Sequence, residues 1–303
     1  MSEANSLLDL KKIKSFLAVA DAHSFSKAAY HMGYSTAALS IQVKDLEDSM
    51  GVKLLDRYSG NQVTLTNDGS KFYSYASTLL TLNDEIIASF TDKSELSGTI
   101  RIGAIDSICD CMLTDLIASY HTKYPKVTII VSSYSPRMLL KLLEANEIDI
   151  AIFVDKPVAN SKFVVSEKIS EDIVFCCAPD YPFAHLIHPS IDSLLQYPAV
   201  LTEKNESYRN TFEEVLAENG MVLSPIIESK STRLIIDLLI KEIGYSVLPK
   251  FLIQNEEKEN KIVPVEIPGI KMNIQLQVLY NSNKYISKEL REFIRFAKSY
   301  IGR

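Results

Sequence analysis

Between Leu10 and Ala20 the apolar residues Leu10, Ile13, Phe16, Leu17 and Ala20 recur at the spacing of one helix face. Ser24 offers an N-cap to a second helix carrying Phe25, Ala28, Ala29 and Met32, and Gly33 interrupts it. Ser35 can cap a third helix that runs to about Ser49, with Gly51 ending it. Beyond Arg57 a Ser-Gly-Asn-Gln turn, its tip at Gly60–Gln62, precedes Val63-Thr-Leu-Thr66, and this pattern predicts a β-wing. Residues 67–91 then form one long helical stretch. Its apolar positions Phe72, Ala76, Leu79, Ile86 and Phe90 fall close to a seven-residue repeat, which predicts a stripe buried against another helix and hence a dimerising linker. The polar run Thr91–Gly98 marks a boundary.

After Gly98 the pattern changes to alternation of strands and helices. Thr99–Ala104 is a strand, Cys109–Tyr124 a helix stopped by Pro125, Val127–Ser132 a strand, Pro136–Ala145 a helix, and Ile148–Val154 a nearly unbroken apolar strand. That order predicts a mostly parallel sheet. A second unit begins around Lys168–Ala178. It contains helices over Tyr208–Asn219 and Thr232–Glu242 and strands near Ile226–Glu228 and Tyr245–Leu248. A final helix spans Ser287–Ile301. Residues 249–286 receive no element.

Composition narrows the class. Of 303 residues 47% are hydrophobic and 23% charged, ordinary values for a globular chain, and no apolar run is long enough for a membrane span. The N-terminus mixes acids and bases where a signal peptide needs an apolar core, so a cytoplasmic location is expected. The formal net charge of −6 lies wholly outside residues 1–66, where seven basic side chains balance seven acidic ones. Cys109, Cys111, Cys176 and Cys177 match no zinc or Cys-x-x-Cys spacing, and they read first as small buried hydrophobes.

The third helix carries the most pointed chemistry. Leu39, Val43 and Leu46 cluster on one side, which predicts the buried face. The opposite side presents Ala37, Ser40, Ile41 and Lys44, with Thr36 at its edge. A solvated helix face normally carries long charges; a smooth one with hydroxyls, one lysine and an exposed isoleucine suits the floor of a major groove. Thr36 and Ser40 can bond base edges or phosphates, Ala37 and Ile41 can meet thymine methyls, and Lys44 can reach a guanine or a phosphate. A helix hairpin packed on another protein surface shows the same pattern.

The run Ser24-Phe-Ser-Lys-Ala-Ala29, then Ser35-Thr-Ala-Ala-Leu-Ser-Ile-Gln42, Leu46-Glu47, Gly51-Val-Lys-Leu-Leu-Asp-Arg57 and Leu65-Thr66 resembles LysR-type transcriptional regulators. The likeness continues through Ser97-Gly98-Thr-Ile-Arg-Ile-Gly103, Glu147-Ile-Asp-Ile-Ala-Ile152 and Gly244-Tyr-Ser-Val-Leu-Pro249. It implies an α/β chain of three parts. Residues 1–66 would form a winged helix-turn-helix that binds double-stranded DNA. Residues 67–91 would form the linker and dimerisation helix. Residues 92–303 would form a two-lobed, periplasmic-binding-protein-like effector domain, with lobe 1 at about 98–167 plus 268–303 and lobe 2 at about 168–267. By the same likeness Ser35, Thr36, Ala37, Ser40, Gln42 and Lys44 match DNA-contacting positions, Arg57 matches the arginine before the wing, and homodimers pair into tetramers. The chain departs from the family in having Thr36-Ala37 for a common Gln-Pro, Ile41 for a common Arg, and Gln62 where the wing is commonly basic. Fewer cations imply weaker non-specific binding and a shallower salt dependence.

Ligands of two-lobed α/β domains meet strand ends and helix N-termini in the cleft. The loops after strands supply Asp106, Ser107, Ser133, Tyr134, Ser135 and Asp155 from one lobe, and Thr202, Glu203, Ser231 and Thr232 from the other. Ser107 matches a Ser/Thr that contacts effector in the family. Ser107, Ser135 and Ser231 are equally placed to cap helices. Asp106 and Glu203, if they enter the cleft, oppose a plain carboxylate effector and favour one with an amine or several hydroxyls. Glu242, where the family has a glycine beside the cleft, is expected to point to solvent. No Gly-x-Ser-x-Gly, His-Glu-x-x-His or Gly-rich phosphate loop occurs, so neither an enzyme nor a cofactor is expected. Switching by cysteine oxidation is the variant reading of the same architecture.

Overall fold

Three side chains start the first three helices of the computed structural model. Asp9 accepts from Lys11 N (2.8 Å) to open α1 (Leu10–Ala22), Ser24 accepts from Lys27 N (3.4 Å) to open α2 (Phe25–Met32), and Ser35 accepts from Ala38 N (3.1 Å) to open α3 (Thr36–Met50). Left-handed residues His23, Gly33 and Gly51 end them. A two-stranded ribbon, β1 (Leu55–Arg57) against β2 (Val63–Leu65), follows. The structure describes residues 8–57, 63–90, 96–187, 189–204 and 206–301. The expected wing tip at Gly60–Gln62 lies outside them.

Helix α4 (Asn67–Phe90) starts on Thr66, whose hydroxyl accepts from Gly69 N (2.8 Å) and donates to Lys53 O (2.7 Å). Gly69 sits so close to the β1 approach that a Cβ there would lie 1.9 Å from Leu54 O. The seven-residue stripe divides: Phe72 and Ala76 enter this chain's own core, and Leu79 and Ile86 stay exposed. Phe72, Tyr73, Ala76 and Leu80 are buried in the core of the N-terminal unit itself, Phe72 edge-on to Phe16 at 5.3 Å. Tyr75, Leu79 and Leu82 remain exposed on the helix. The missing neighbour was α1, distant in sequence and adjacent in space.

The C-terminal domain is built on one mixed sheet of order Val263–Val265, Phe163–Cys177, Met272–Asn281, Ile150–Asp155, Gly98–Ala104, Val127–Ser133, with Ser246–Pro249 also paired to Phe163–Cys177. Strands β3 (Gly98–Ala104), β4 (Val127–Ser133) and β5 (Ile150–Asp155) run parallel, as the alternating pattern predicts. Between β3 and β4 the chain forms α5 (Asp106–Ile108), a π turn over Cys109–Leu113, and α6 (Thr114–Lys123), where one uninterrupted helix from Cys109 was expected. Helix α7 (Pro136–Glu144) joins β4 to β5.

Two long strands tie the lobes together. Strand β6 (Phe163–Cys177) begins earlier than Lys168, and its far end carries β9 (Ser246–Pro249) and β10 (Val263–Val265). Strand β11 (Met272–Asn281), unassigned in sequence, lies antiparallel between β5 and β6. At its centre Gln277, fully buried, accepts from Val158 N (2.9 Å) and donates to Asp155 O (3.4 Å) and Lys156 O (3.1 Å). Lobe 2 adds β7 (Val200–Thr202) parallel to β8 (Ile227–Ser229), with α8 (Ser207–Glu218), α9 (Thr232–Ile240) and α10 (Gln254–Lys258). Helix α11 (Lys288–Ile301) packs on lobe 1, where Phe293 meets Tyr120 edge-on at 5.1 Å. No helix among the described residues is long and apolar enough to cross a membrane.

Candidate functional site

On α3 the buried side is Leu39, Val43, Leu46 and Glu47. The outward side carries Ser35, Thr36, Ala37 and Lys44, all exposed, with Ile41 60% exposed and Ser40 half-buried beside them. An isoleucine left that open costs apolar exposure without any return inside this chain. Gln42 does not share that face: it is half-buried, and its Oε1 accepts from Ser15 Oγ of α1 at 2.5 Å. Arg57 holds the ribbon through its backbone, opposite Val63. Two exposed rings escaped the sequence reading. Tyr30 is 84% exposed on α2, and Tyr34, under the Lys11 ammonium at 5.5 Å, lies in the α2–α3 turn. The signal was present, because aromatic residues on a polar helix face and in a turn have no core to enter.

The buried acid of this unit is Glu47. Its Oε1 accepts from both Leu54 N (2.8 Å) and Leu55 N (3.1 Å), and Oε2 pairs with Lys53 Nζ (3.1 Å). Thus α3 fixes where the ribbon begins.

In the C-terminal domain Asp106 opens α5 and accepts from Ser133 Oγ, so the first two strand-end loops are joined. Ser107 is only 5% exposed; Tyr134 is exposed, and its backbone N donates to Ala104 O (3.1 Å). Asp155 ends β5 and accepts from Lys156 N (2.7 Å). From lobe 2 come Thr202, 3% exposed at the end of β7, and exposed Glu203. Ser231 does cap α9, accepting from Leu234 N (3.2 Å), whereas Ser135 makes no side-chain cap. Thr232 lies 3.4 Å from Tyr208 OH.

Glu206, which the sequence reading missed, feels charges from both lobes. Burial raises its carboxyl pKa, Lys230 counteracts, and the carboxylates of Glu203, Asp106 and Asp155 raise it further. Asp106 and Asp155 belong to lobe 1 and Glu203 and Glu206 to lobe 2, so carboxylates of both lobes act on the Glu206 carboxyl. Reading on from Glu203 to the start of the next helix would have found Glu206 and Tyr208. Arg209, buried on the same helix, donates to Glu213 (2.8 Å) and Thr202 O (3.5 Å) and holds β7 to α8. Glu242 is exposed, with a left-handed φ of 59°. No group of three metal-ligating side chains occurs among the described residues.

The cysteines divide. Cys176 and Cys177 are buried as expected, but Cys109 is half-buried and Cys111 exposed on the π turn. Burial and then the Asp110 and Glu256 carboxylates push the Cys111 thiol up to about 11. At pH 7.5 its thiolate fraction is then on the order of 10⁻³–10⁻⁴. Iodoacetamide should therefore label Cys111 far more slowly than free cysteine, with the rate rising about tenfold per pH unit up to pH ~10. Peptide mass spectrometry over that range checks it, and rapid labelling at pH 7 would contradict it.

Comparison with known proteins covers both halves. Residues 10–70 match the bacterial regulatory helix-turn-helix protein, lysR family, and residues 93–301 match the LysR substrate binding domain. The HTH-type transcriptional regulator YwqM of Bacillus subtilis (strain 168) is 25% identical over 288 residues, 95% of this chain and 97% of its own. Among solved structures, a full-length cysteine variant of OxyR from Pseudomonas aeruginosa aligns with a TM-score of 0.64 at 19% identity, covering 96% of this chain and 95% of that one. CrgA, a LysR-type transcriptional regulator from Neisseria meningitidis, aligns at 0.60 and 21%, covering 98% and 100%. These relatives and families are regulators, not enzymes. With one family model on the helical N-terminal unit and the other on the two-lobed domain, this chain belongs to the LysR family of DNA-binding transcriptional regulators.

Proposed function

We propose that residues 1–66 read operator DNA through Ser35, Thr36, Ala37, Ser40, Ile41 and Lys44 of α3, that 67–91 pair two chains, and that 92–303 sense a small molecule between the lobes. The carrying observation is the exposed, nearly uncharged face of α3, capped by Ser35 and holding Ile41 in the open. Its N-terminal amides and hydroxyls suit phosphate and base edges, and its methyl-bearing groups suit thymine. Gln42 contributes by locking α3 to α1 through Ser15. Exposed Tyr75, Leu79 and Leu82 on α4 support a dimer, since an open apolar stripe on a long helix suits a partner helix.

Ser40→Arg or Lys44→Ala should weaken operator binding by about five- to a hundredfold while dimerisation is retained. Electrophoretic mobility shift beside sedimentation checks this; unchanged affinity in both variants sinks the recognition face.

For the sensor, the convergence of Asp106, Asp155, Glu203 and Glu206 supports an effector bearing an amine or several hydroxyls, with Ser107, Ser133, Tyr134, Ser135, Thr202, Ser231 and Thr232 around it. A thermal-shift screen of metabolites should favour such compounds. Tight binding of simple dicarboxylates, undiminished in Asp106→Asn and Glu203→Gln, overturns this assignment.

A further inference from the structure

A second cavity lies where the reader meets lobe 1 of its own chain. It measures about 600 Å³ and is lined by the end of α1, by α2, by Arg101 of β3, by the α7–β5 turn and by Lys284. That size falls within the range of small-molecule sites, which favour domain interfaces.

The acids on its walls are mostly committed. Asp21 Oδ1 accepts from Tyr73 OH (2.5 Å) and from Asn146 Nδ2 (3.2 Å), a contact between reader and sensor. Asp149 pairs with Lys284 Nζ (2.6 Å), and its other oxygen accepts from Arg101 N (2.6 Å). Three donors are not: among the described residues, the Lys27 ammonium and His31 imidazole of the reader and the Arg101 guanidinium of the sensor line the same cavity without an ion-pair partner. Against them stands one uncommitted acid, the exposed Glu147. Donors from two domains, Lys27 and Arg101 among them charged, facing one cavity and lacking acceptors, are the complement of a compact anion.

We propose that this crevice is a second ligand site, distinct from the space between the lobes, for a small anion of two or more negative charges held by Lys27, His31 and Arg101. Such a ligand touches reader and sensor at once. It therefore binds the docked arrangement and stabilises it, which fixes how the reader is presented to DNA. None of these three residues is among the groups acting on Glu206, so the two sites stand or fall separately.

The test is isothermal titration of the full chain, in a buffer free of multivalent anions, with inorganic pyrophosphate in one arm and citrate in the other. Saturable binding, one anion per chain, is expected in at least one arm, and the tighter arm tells a phosphoryl from a carboxylate ligand. Arg101→Gln and Lys27→Gln should each weaken it about tenfold or more. Lys44→Gln, on the DNA-reading face, should leave it unchanged. Glu147→Gln should tighten it, and this variant carries the test if the cation variants fold poorly. No saturable binding by ~10 mM in either arm, equal affinity in Arg101→Gln, or loss in Lys44→Gln overturns the proposal.

Discussion

Glu47→Ala should destabilise the reader by about 3–5 kcal/mol, enough to unfold it in a large fraction of molecules. The side chain is 4% exposed, and one of its oxygens satisfies the backbone N–H groups of both Leu54 and Leu55. Alanine leaves those two donors buried without an acceptor, and each costs about 1–3 kcal/mol. The Lys53 pair adds little, because its ammonium is 69% exposed. Glu47→Gln separates the terms: an amide oxygen can still accept both bonds, so this variant should lose only ~1–2 kcal/mol. Hydrogen exchange on the full chain reads the effect at α3 and residues 52–57. Undiminished protection in Glu47→Ala would mean that water satisfies the two amides.

The second large effect belongs to the sensor. Lys284 and Asp149 pair at 2.6 Å with side chains only 8% and 9% exposed. Lys284→Met strands a buried carboxylate beside Asp21 and should lower stability by about 3–5 kcal/mol. The double variant Asp149→Asn, Lys284→Met removes both charges and should recover part of that loss, since paired burial is expensive to half-undo. Urea unfolding of the full chain measures both. A single variant within ~1 kcal/mol of the parent would mean that water reaches Asp149 and that the pair is effectively solvated.

How much was legible depended on whether a signal was local. Caps and stops were: Ser24, Ser35, Gly33 and Gly51 fix α2 and α3 where the sequence places them, and the strand–helix alternation after Gly98 yields β3, β4 and β5. Partners distant along the chain were not. Phe72 and Ala76 sit on a seven-residue repeat that suits a second copy, yet α1 covers them, because periodicity names a face and not what meets it. In β11 the alternation Met272, Ile274, Leu276, Val278 is a strand signal, but a buried Gln277 within it looks like a surface residue until its three hydrogen bonds are known. The candidate site followed the same division. The outward face of α3 follows from angle alone, apart from Gln42, whose partner Ser15 is 27 positions away. The loops after strands could be named, but that carboxylates of both lobes act on Glu206 could not, since only the crossing of β6 and β11 brings the lobes together.

That crossing also orders events during synthesis. The reader's buried core is complete once Leu80 has been made, so it can fold while the rest of the chain is still being translated. The sensor has no such option. Its β5 and β6 flank a strand that arrives only with residues 272–281, and until then both expose backbone that any other strand could claim. The nascent regulator is therefore able to form its DNA-reading half before its sensing half, with its largest aggregation hazard concentrated in the interval between Cys177 and Asn281.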